Sequence, residues 1–217
     1  MEYREIREEI IKACLWLQER NLVVGTWGNV SVRLDENKIM LTPSRIDYNA
    51  MKPEDLVIVD LEGNKIDGFR SPTSEMDVHR LIYCARKDVG AVVHCHPVHA
   101  SAMCATSEGI PPILEEMTQL IGGEIPSTRK YVRAGDHLGL AREAVACLGD
   151  KNAVLLMNHA PVCCGRDLKE ALTCSQIVEK AATCYLSIKG KFPISVIPDD
   201  LVKAERERFL YKYGHEL

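Results

Sequence analysis

The chain has 217 residues, of which 46% are hydrophobic and 27% are charged, and its formal net charge is −4. This composition is typical of globular proteins, and we expect residues 1–217 to fold as a single domain with a substantial core. The acidic balance and the lack of a basic stripe argue against nucleic acid as a partner. No apolar run approaches the roughly 20 residues that a bilayer-spanning helix needs, which argues against a membrane.

The nine cysteines bear on the compartment in which the protein works. Their number is odd, no two have CxxC spacing, and several lie in apolar runs. Met1 is followed by Glu2, Tyr3 and Arg4 rather than by a hydrophobic leader. We therefore predict a reduced, cytoplasmic protein in which most cysteines are buried and structural.

Helical and extended patterns alternate along the chain. Helical spacing of apolar residues predicts helices over residues 2–20, 76–83, 98–105, 138–148 and 199–213, and another within 166–189 that Asp167 could cap. Strands are predicted over residues 29–32, 39–41 and 56–60, in the run that leads to His94, and over 153–157. Short turns join several strands, which favours an α/β fold with helices on both faces of a mixed or largely antiparallel sheet.

A histidine pair ends one of these strands. Side chains along a strand alternate between its faces, so His94 and His96 are expected on one face, while Cys95 points to the other and is more typical of the core. Two unligated histidines at a solvated strand end would give the same pattern. His159, which follows a second apolar run, could supply the third ligand of a catalytic metal site.

Three polar segments could bind an anion. Gly28 and Asn29 follow a glycine turn that could present amide and side-chain donors, although an ordinary hairpin turn has the same pattern. Residues 42–45 form a second polar loop. Thr73 and Ser74 mark a helix start, which is either a phosphate seat or an ordinary cap. The helix leads into the His94 strand and would bring Glu75 near the metal.

Four motifs together resemble the class II aldolase/adducin family in order and spacing, over nearly the whole chain. They are Gly28–Asn29–Val30–Ser31, Thr42–Pro43–Ser44, Pro72–Thr73–Ser74–Glu75, and His94–Cys95–His96–Pro97 with Asn158–His159. The resemblance implies a three-layer α/β/α fold around a central mixed, mostly antiparallel sheet. It also implies a C4 homotetramer with active sites between subunits.

The resemblance further implies roles for individual residues. His94, His96 and His159 match zinc ligands, and Glu75 matches a glutamate that binds the free metal and then acts as acid and base. Tyr213 matches a C-terminal tyrosine that closes the site. The positions that match phosphate-binding residues are Gly28, which shapes its loop, Asn29, Ser44, Arg45, Thr73 and Ser74.

The implied reaction is the reversible cleavage of a ketose 1-phosphate to dihydroxyacetone phosphate and an aldehyde, through a metal-stabilised enediolate. Alternatives on the same fold are dehydration of methylthioribulose 1-phosphate, 4-epimerisation of a pentulose 5-phosphate, and a non-catalytic adducin-like module, which would be expected to lose metal ligands. Three features depart from the family's aldolases: Ala160 follows the third histidine, Arg45 replaces a glycine, and Glu115–Glu116 lies near the position of a tyrosine.

Overall fold

The computed structural model describes residues 2–133 and 135–212, and it confirms the predicted α/β/α architecture. The strands of this part of the chain form one sheet in the order β4-β3-β2-β1-β5-β7-β6. All neighbouring strands pair antiparallel, and a single isolated bridge between Ser127 and Leu155 is parallel. The strands are β1 (Gly28–Arg33), β2 (Lys38–Leu41), β3 (Val57–Asp60), β4 (Lys65–Asp67), β5 (Ala91–Cys95), β6 (Ala153–Leu155) and β7 (Pro161–Gly165).

Helices cover both faces of the sheet. Because side chains alternate along β5, Val92 packs with α2 and α4 on one face, while Val93 packs with α1 on the other. On this second face α3 and α5 also pack over β6 and β7. The α-helices are α1 (Arg4–Glu19), α2 (Met76–Ala85), α3 (Val98–Cys104), α4 (His137–Leu148), α5 (Leu168–Ile188) and α6 (Asp199–Tyr211), with a 3-10 turn at Pro53–Asp55 and a π-helical turn at Met117–Ile121.

Most predicted elements are present, with two strands missed. Asp167 caps α5 as expected, because its carboxylate accepts a hydrogen bond of 2.7 Å from the backbone nitrogen of Glu170. The sequence did not predict β4, whose three residues are all exposed, or β7, whose apolar residues adjoin the run that forms β6. Among the described residues, no helix is both long and apolar enough to cross a membrane.

The order of the strands determines where the polar motifs meet. The neighbours β1 and β5 lie at the middle of the sheet, and Asn29 on β1 stands directly opposite His94 on β5. Strands β5 and β7 are also neighbours, and the turn between β6 and β7 carries His159. The glycine-turn motif and both histidine motifs therefore converge at one end of the central strands.

Candidate active site

Three histidines converge at this end of the sheet. One ligand atom from each of His94, His96 and His159 lies within 4.8 Å of the others. The Nε2 atoms of His94 and His96 are 3.0 Å apart, which agrees with the predicted placement of both imidazoles on one face. His94 is buried, while His159 keeps 20% of its side-chain surface exposed, so the cluster can be reached from solvent.

Backbone contacts hold His94 and His96 in place. The Nδ1 atom of His94 donates a hydrogen bond of 2.9 Å to the backbone oxygen of Pro161. Because a neutral imidazole carries one proton, Nε2 of His94 keeps its lone pair and faces the cluster. The backbone nitrogen of His96 donates to the oxygen of Leu22 at 2.8 Å, and the ring of Trp27 packs edge-on against the His96 ring.

A tight turn presents His159. Asn158, just before it, has φ of 55°, a left-handed conformation that asparagine tolerates better than most residues. The backbone nitrogen of Asn158 donates to the oxygen of Cys104 at 2.6 Å, and that of His159 donates to the oxygen of Leu156 at 3.0 Å. These bonds anchor the turn to α3 and to the end of β6, so the imidazole extends toward β5.

Glu75 completes the cluster from the start of α2. Its two carboxylate oxygens lie 3.3 Å from Nε2 of His94 and 3.3 Å from Nε2 of His159. The Nδ2 atom of Asn29 donates to the same carboxylate at 2.7 Å. Burial acts to raise the pKa of Glu75, but His94, His159 and the Asn29 amide outweigh it and lower this pKa to about 2.

The donor set fits a divalent transition metal. Burial lowers the pKa of His94, His96 and His159, to about 4 for His96, so the imidazoles are neutral near pH 7 and able to ligate. Imidazole nitrogens with one carboxylate oxygen suit zinc and its neighbours better than magnesium or calcium, which prefer oxygen ligands. The buried Cys95 packs in the core on the opposite face, as predicted.

The two polar loops predicted to bind phosphate lie side by side. Pro43 and Pro72 form an isolated antiparallel bridge, and the backbone nitrogen of Ser44 donates to the oxygen of Ser71 at 3.1 Å. Thr73 is buried, and its hydroxyl accepts a 3.4 Å hydrogen bond from the backbone nitrogen of Glu75. Ser44 is half-buried and Ser74 is exposed. The loops therefore border the carboxylate.

The remaining predicted phosphate positions differ in their surroundings. Both side-chain polar atoms of Asn29 are hydrogen-bonded within the protein, to Glu75 and His79. A Cβ atom at Gly28 would lie 3.0 Å from the backbone oxygen of His94, so only glycine fits there without a shift. Arg45 is exposed and has φ of 58°, a left-handed conformation that favours glycine.

Tyr213 lies outside the described residues. Glu115 is exposed, and Glu116 bonds the Nζ atom of Lys180 at 2.5 Å rather than any of the three histidines. His79, which contacts Asn29, was not predicted as a site residue. Its position four residues after Glu75, on the same face of a helix, was the available signal.

The chain belongs to the class II aldolase and adducin N-terminal domain family, which it matches over residues 8–186. The predicted resemblance is thus confirmed, and the chain is a class II aldolase-type enzyme, a lyase.

It is 31% identical over 206 residues to 5-deoxy-D-ribulose 1-phosphate aldolase of Bacillus thuringiensis, with 94% of each chain covered. The L-ribulose-5-phosphate 4-epimerase of Salmonella paratyphi B is 27% identical, with 97% of this chain and 96% of the relative covered. The solved structure of an L-fuculose 1-phosphate aldolase superposes with a TM-score of 0.91 at 30% identity, covering 97% of this chain and 99% of that one.

Proposed function

We propose that the protein is a zinc-dependent aldolase that reversibly cleaves a ketose 1-phosphate, similar to L-fuculose 1-phosphate, to dihydroxyacetone phosphate and an aldehyde. The observation that carries this proposal is the Glu75 carboxylate, which lies 3.3 Å from Nε2 of both His94 and His159 in a complete three-histidine cluster. The two aldolases reported above, named for 1-phosphorylated ketoses, support this substrate class.

The metal would be held by His94, His96, His159 and Glu75. When bound, zinc supplies a Lewis acid that stabilises negative charge developing on substrate oxygens. The burial of His94 and its bond to Pro161 orient the ligand nitrogen before the metal arrives, which reduces the reorganisation that binding requires. Another divalent transition metal would be accepted by the same donors.

Glu75 acts as the proton carrier in this proposal. Its carboxylate is partly exposed beside His94 and His159, so it can take the proton from dihydroxyacetone phosphate and return it during cleavage. Tyr213 is proposed to close the site. The substrate phosphate is held by donors and backbone amides of the polar loops, which fixes the reacting carbons relative to Glu75. The proposed phosphate-binding residues are Gly28, Asn29, Ser44, Arg45, Thr73 and Ser74.

We also propose that the chain is a single cytoplasmic domain that assembles as a C4 homotetramer. Three large apolar side chains beside the site motifs are exposed, namely Val24 at 66%, Trp27 at 67% and Val98 at 69%. Apolar surface of this kind is typical of sites that another protein covers. A second subunit placed there would border the histidine cluster, because Trp27 contacts His96.

The second candidate is a pentulose-5-phosphate 4-epimerase, favoured by the similarity to the L-ribulose-5-phosphate 4-epimerase. Such a reaction would use the same metal ligands and a ketose with its phosphate at the other end. A methylthioribulose-1-phosphate dehydratase draws no support from the contacts of the two adjacent carboxylates, since Glu115 accepts a hydrogen bond from Gln119 and Glu116 bonds Lys180. A non-catalytic adducin-like module is disfavoured by the complete set of ligands.

The test is to incubate the metal-loaded protein with dihydroxyacetone phosphate and a panel of aldehydes, and to identify products by mass spectrometry and NMR. We expect a ketose 1-phosphate with at least one short aldehyde, and no product after treatment with a chelator. L-ribulose 5-phosphate and methylthioribulose 1-phosphate are assayed in parallel. Turnover of either one, without condensation of any aldehyde, would replace the aldolase assignment by the epimerase or the dehydratase.

A further inference from the structure

A hydrogen-bonded chain of four buried side chains leads away from Glu75. The Nδ2 atom of Asn29 donates to Glu75 at 2.7 Å, and the Oδ1 atom of Asn29 lies 2.5 Å from Nε2 of His79. The Nδ1 atom of His79 lies 2.6 Å from the hydroxyl of Ser31, which lies 2.9 Å from that of Tyr83. His79, Ser31 and Tyr83 are each at most 1% exposed, so water cannot substitute for these partners.

The chemistry of the groups allows one direction of donation along this chain. A carboxylate can only accept, so Asn29 must turn its amide hydrogens to Glu75 and its oxygen to His79. An amide oxygen also only accepts, so the proton of His79 must reside on Nε2. The Nδ1 atom of His79 then accepts from the Ser31 hydroxyl, and the Ser31 oxygen accepts from Tyr83. Each donor in this hydrogen-bonded chain therefore faces an acceptor.

A reversed Asn29 amide would break this arrangement. Its oxygen would face the Glu75 carboxylate, and the two acceptors would repel one another, while its amide hydrogens would face the Nε2–H of His79. A neutral His79 with its proton on Nε2 therefore reinforces the Asn29 orientation that the Glu75 carboxylate requires. Burial lowers the pKa of His79 to about 3, which keeps the ring neutral with a single proton.

We propose that His79 is a positioning residue, which orients the amide of Asn29 and thereby holds the Glu75 carboxylate between His94 and His159. His79 does not touch the substrate or the metal. It acts through one hydrogen bond donated by Nε2, and Ser31 acts on it by occupying Nδ1. This inference rests on the proposed function, because the benefit of orienting Glu75 is measured as proton transfer by Glu75.

The experiment compares two substitutions of similar volume. In His79→Gln the side-chain nitrogen can still donate to Asn29, while His79→Met has no donor. We expect His79→Met to lower kcat at least tenfold with little change in KM for dihydroxyacetone phosphate and in metal content, and His79→Gln to restore most of the lost turnover. Tyr83→Phe is the matched control, since Ser31 keeps its own proton for His79; it should lower the melting temperature and leave kcat near that of the wild type.

Equal turnover in the His79→Met and wild-type proteins would overturn the proposal, as would equal losses in folded His79→Met and His79→Gln. A second measurement does not depend on activity or on those variants folding. In protein labelled with 15N-histidine, the ring nitrogens of His79 should show the Nε2–H tautomer, and Ser31→Ala should shift the tautomer populations. A wild-type Nδ1–H tautomer would refute the chain of donation, whereas absence of any sugar-phosphate turnover with the expected tautomer would refute only the proposed function.

Discussion

His94 and Pro161 are joined by a hydrogen bond of 2.9 Å from the imidazole Nδ1 to a backbone oxygen. This bond ties a ligand on β5 to the first residue of β7, the strand that follows the turn carrying His159. The pairing of β5 with β7 therefore holds His94 and His159 in register. Their spacing depends on the sheet and not on flexible loops alone.

Removal of one ligand should release the metal. We predict that the purified wild-type protein binds about one divalent ion per chain and that His94→Ala lowers metal affinity by at least about 100-fold, because two imidazoles and a carboxylate then remain. Metal content is measured by mass spectrometry after dialysis. His99→Ala is the matched control, since His99 bonds Glu179 on α5 and is not in the cluster. Full metal occupancy in His94→Ala would refute the assigned ligand.

Glu75→Gln should separate proton transfer from binding. The amide is nearly the same size as the carboxylate but cannot accept a proton, so exchange of the dihydroxyacetone phosphate carbon-bound proton should fall by about 10² to 10⁴. The fold and most of the phosphate affinity should be retained. Exchange in D₂O is followed by NMR, and binding by calorimetry. Unchanged exchange would remove Glu75 from its proposed role.

Arg45 should strengthen substrate binding, while its left-handed backbone lowers the free energy of unfolding relative to glycine at this position. The left-handed backbone at this position, with φ of 58°, favours glycine, so Arg45→Gly should be about 1 kcal/mol more stable than Arg45→Ala. Both variants lose the cation and should raise KM for the sugar phosphate severalfold. Denaturant unfolding and steady-state kinetics give the two quantities. If KM is unchanged in both variants, Arg45 has no part in phosphate binding.

Gly28→Ala should lower the free energy of unfolding by at least about 1 kcal/mol. The added Cβ atom would lie 2.8 Å from Val23 Cγ2 and 3.0 Å from the backbone oxygen of His94, so β1 or β5 must move. Gly135→Ala is the control, since no described atom outside its chain neighbours lies within 4 Å of the position that an added Cβ would take. The melting temperature and the metal affinity should both fall in Gly28→Ala, and neither should change in Gly135→Ala. Equal effects at the two positions would contradict the close approach.

His79 should make folding stability depend on pH. Its folded-state pKa of about 3 lies below the unfolded value of about 6.5, so below pH 6.5 the unfolded chain binds a proton that the folded chain does not. This contribution to stability is complete above pH 6.5 and is lost toward pH 3, at up to about 1.4 kcal/mol per pH unit. The free energy of unfolding is measured from pH 7.5 to 5, and His79→Gln should show a smaller slope. If the free energy of unfolding varies equally with pH in the wild type and in His79→Gln, the His79 ring is not buried in its neutral form.

Sequence reasoning anticipated the parts of the site that depend on local periodicity. The alternation of side chains along a strand placed His94 and His96 together and Cys95 apart. A helix start before residue 76 placed Glu75 at the N-terminus of α2, next to the cluster. Both inferences use the geometry of one element, which the spacing of apolar and polar residues specifies directly.

The contacts between distant elements could not be anticipated in this way. The pairing of Asn29 with Glu75 and His79 depends on β1 lying beside β5, a neighbour that the chain order does not reveal. Strand β7 begins at Pro161 directly after the turn at Asn158 and His159, so its apolar residues could not be distinguished from the end of the preceding run. The left-handed backbone of Arg45 lies two residues after the bridge between Pro43 and Pro72, and no rule for single residues predicts it.

The central position of β1 and β5 has a consequence for how the enzyme loses activity. Inner strands are hydrogen-bonded on both sides, whereas the outer strand β4 has three exposed residues and an irregular register with β3. Partial opening of such an edge requires less free energy than separation of the inner strands. The amide hydrogens of Val30 and Val93 should therefore exchange with solvent only through global unfolding. Inactivation by heat should coincide with loss of the whole sheet, not with an earlier local melting.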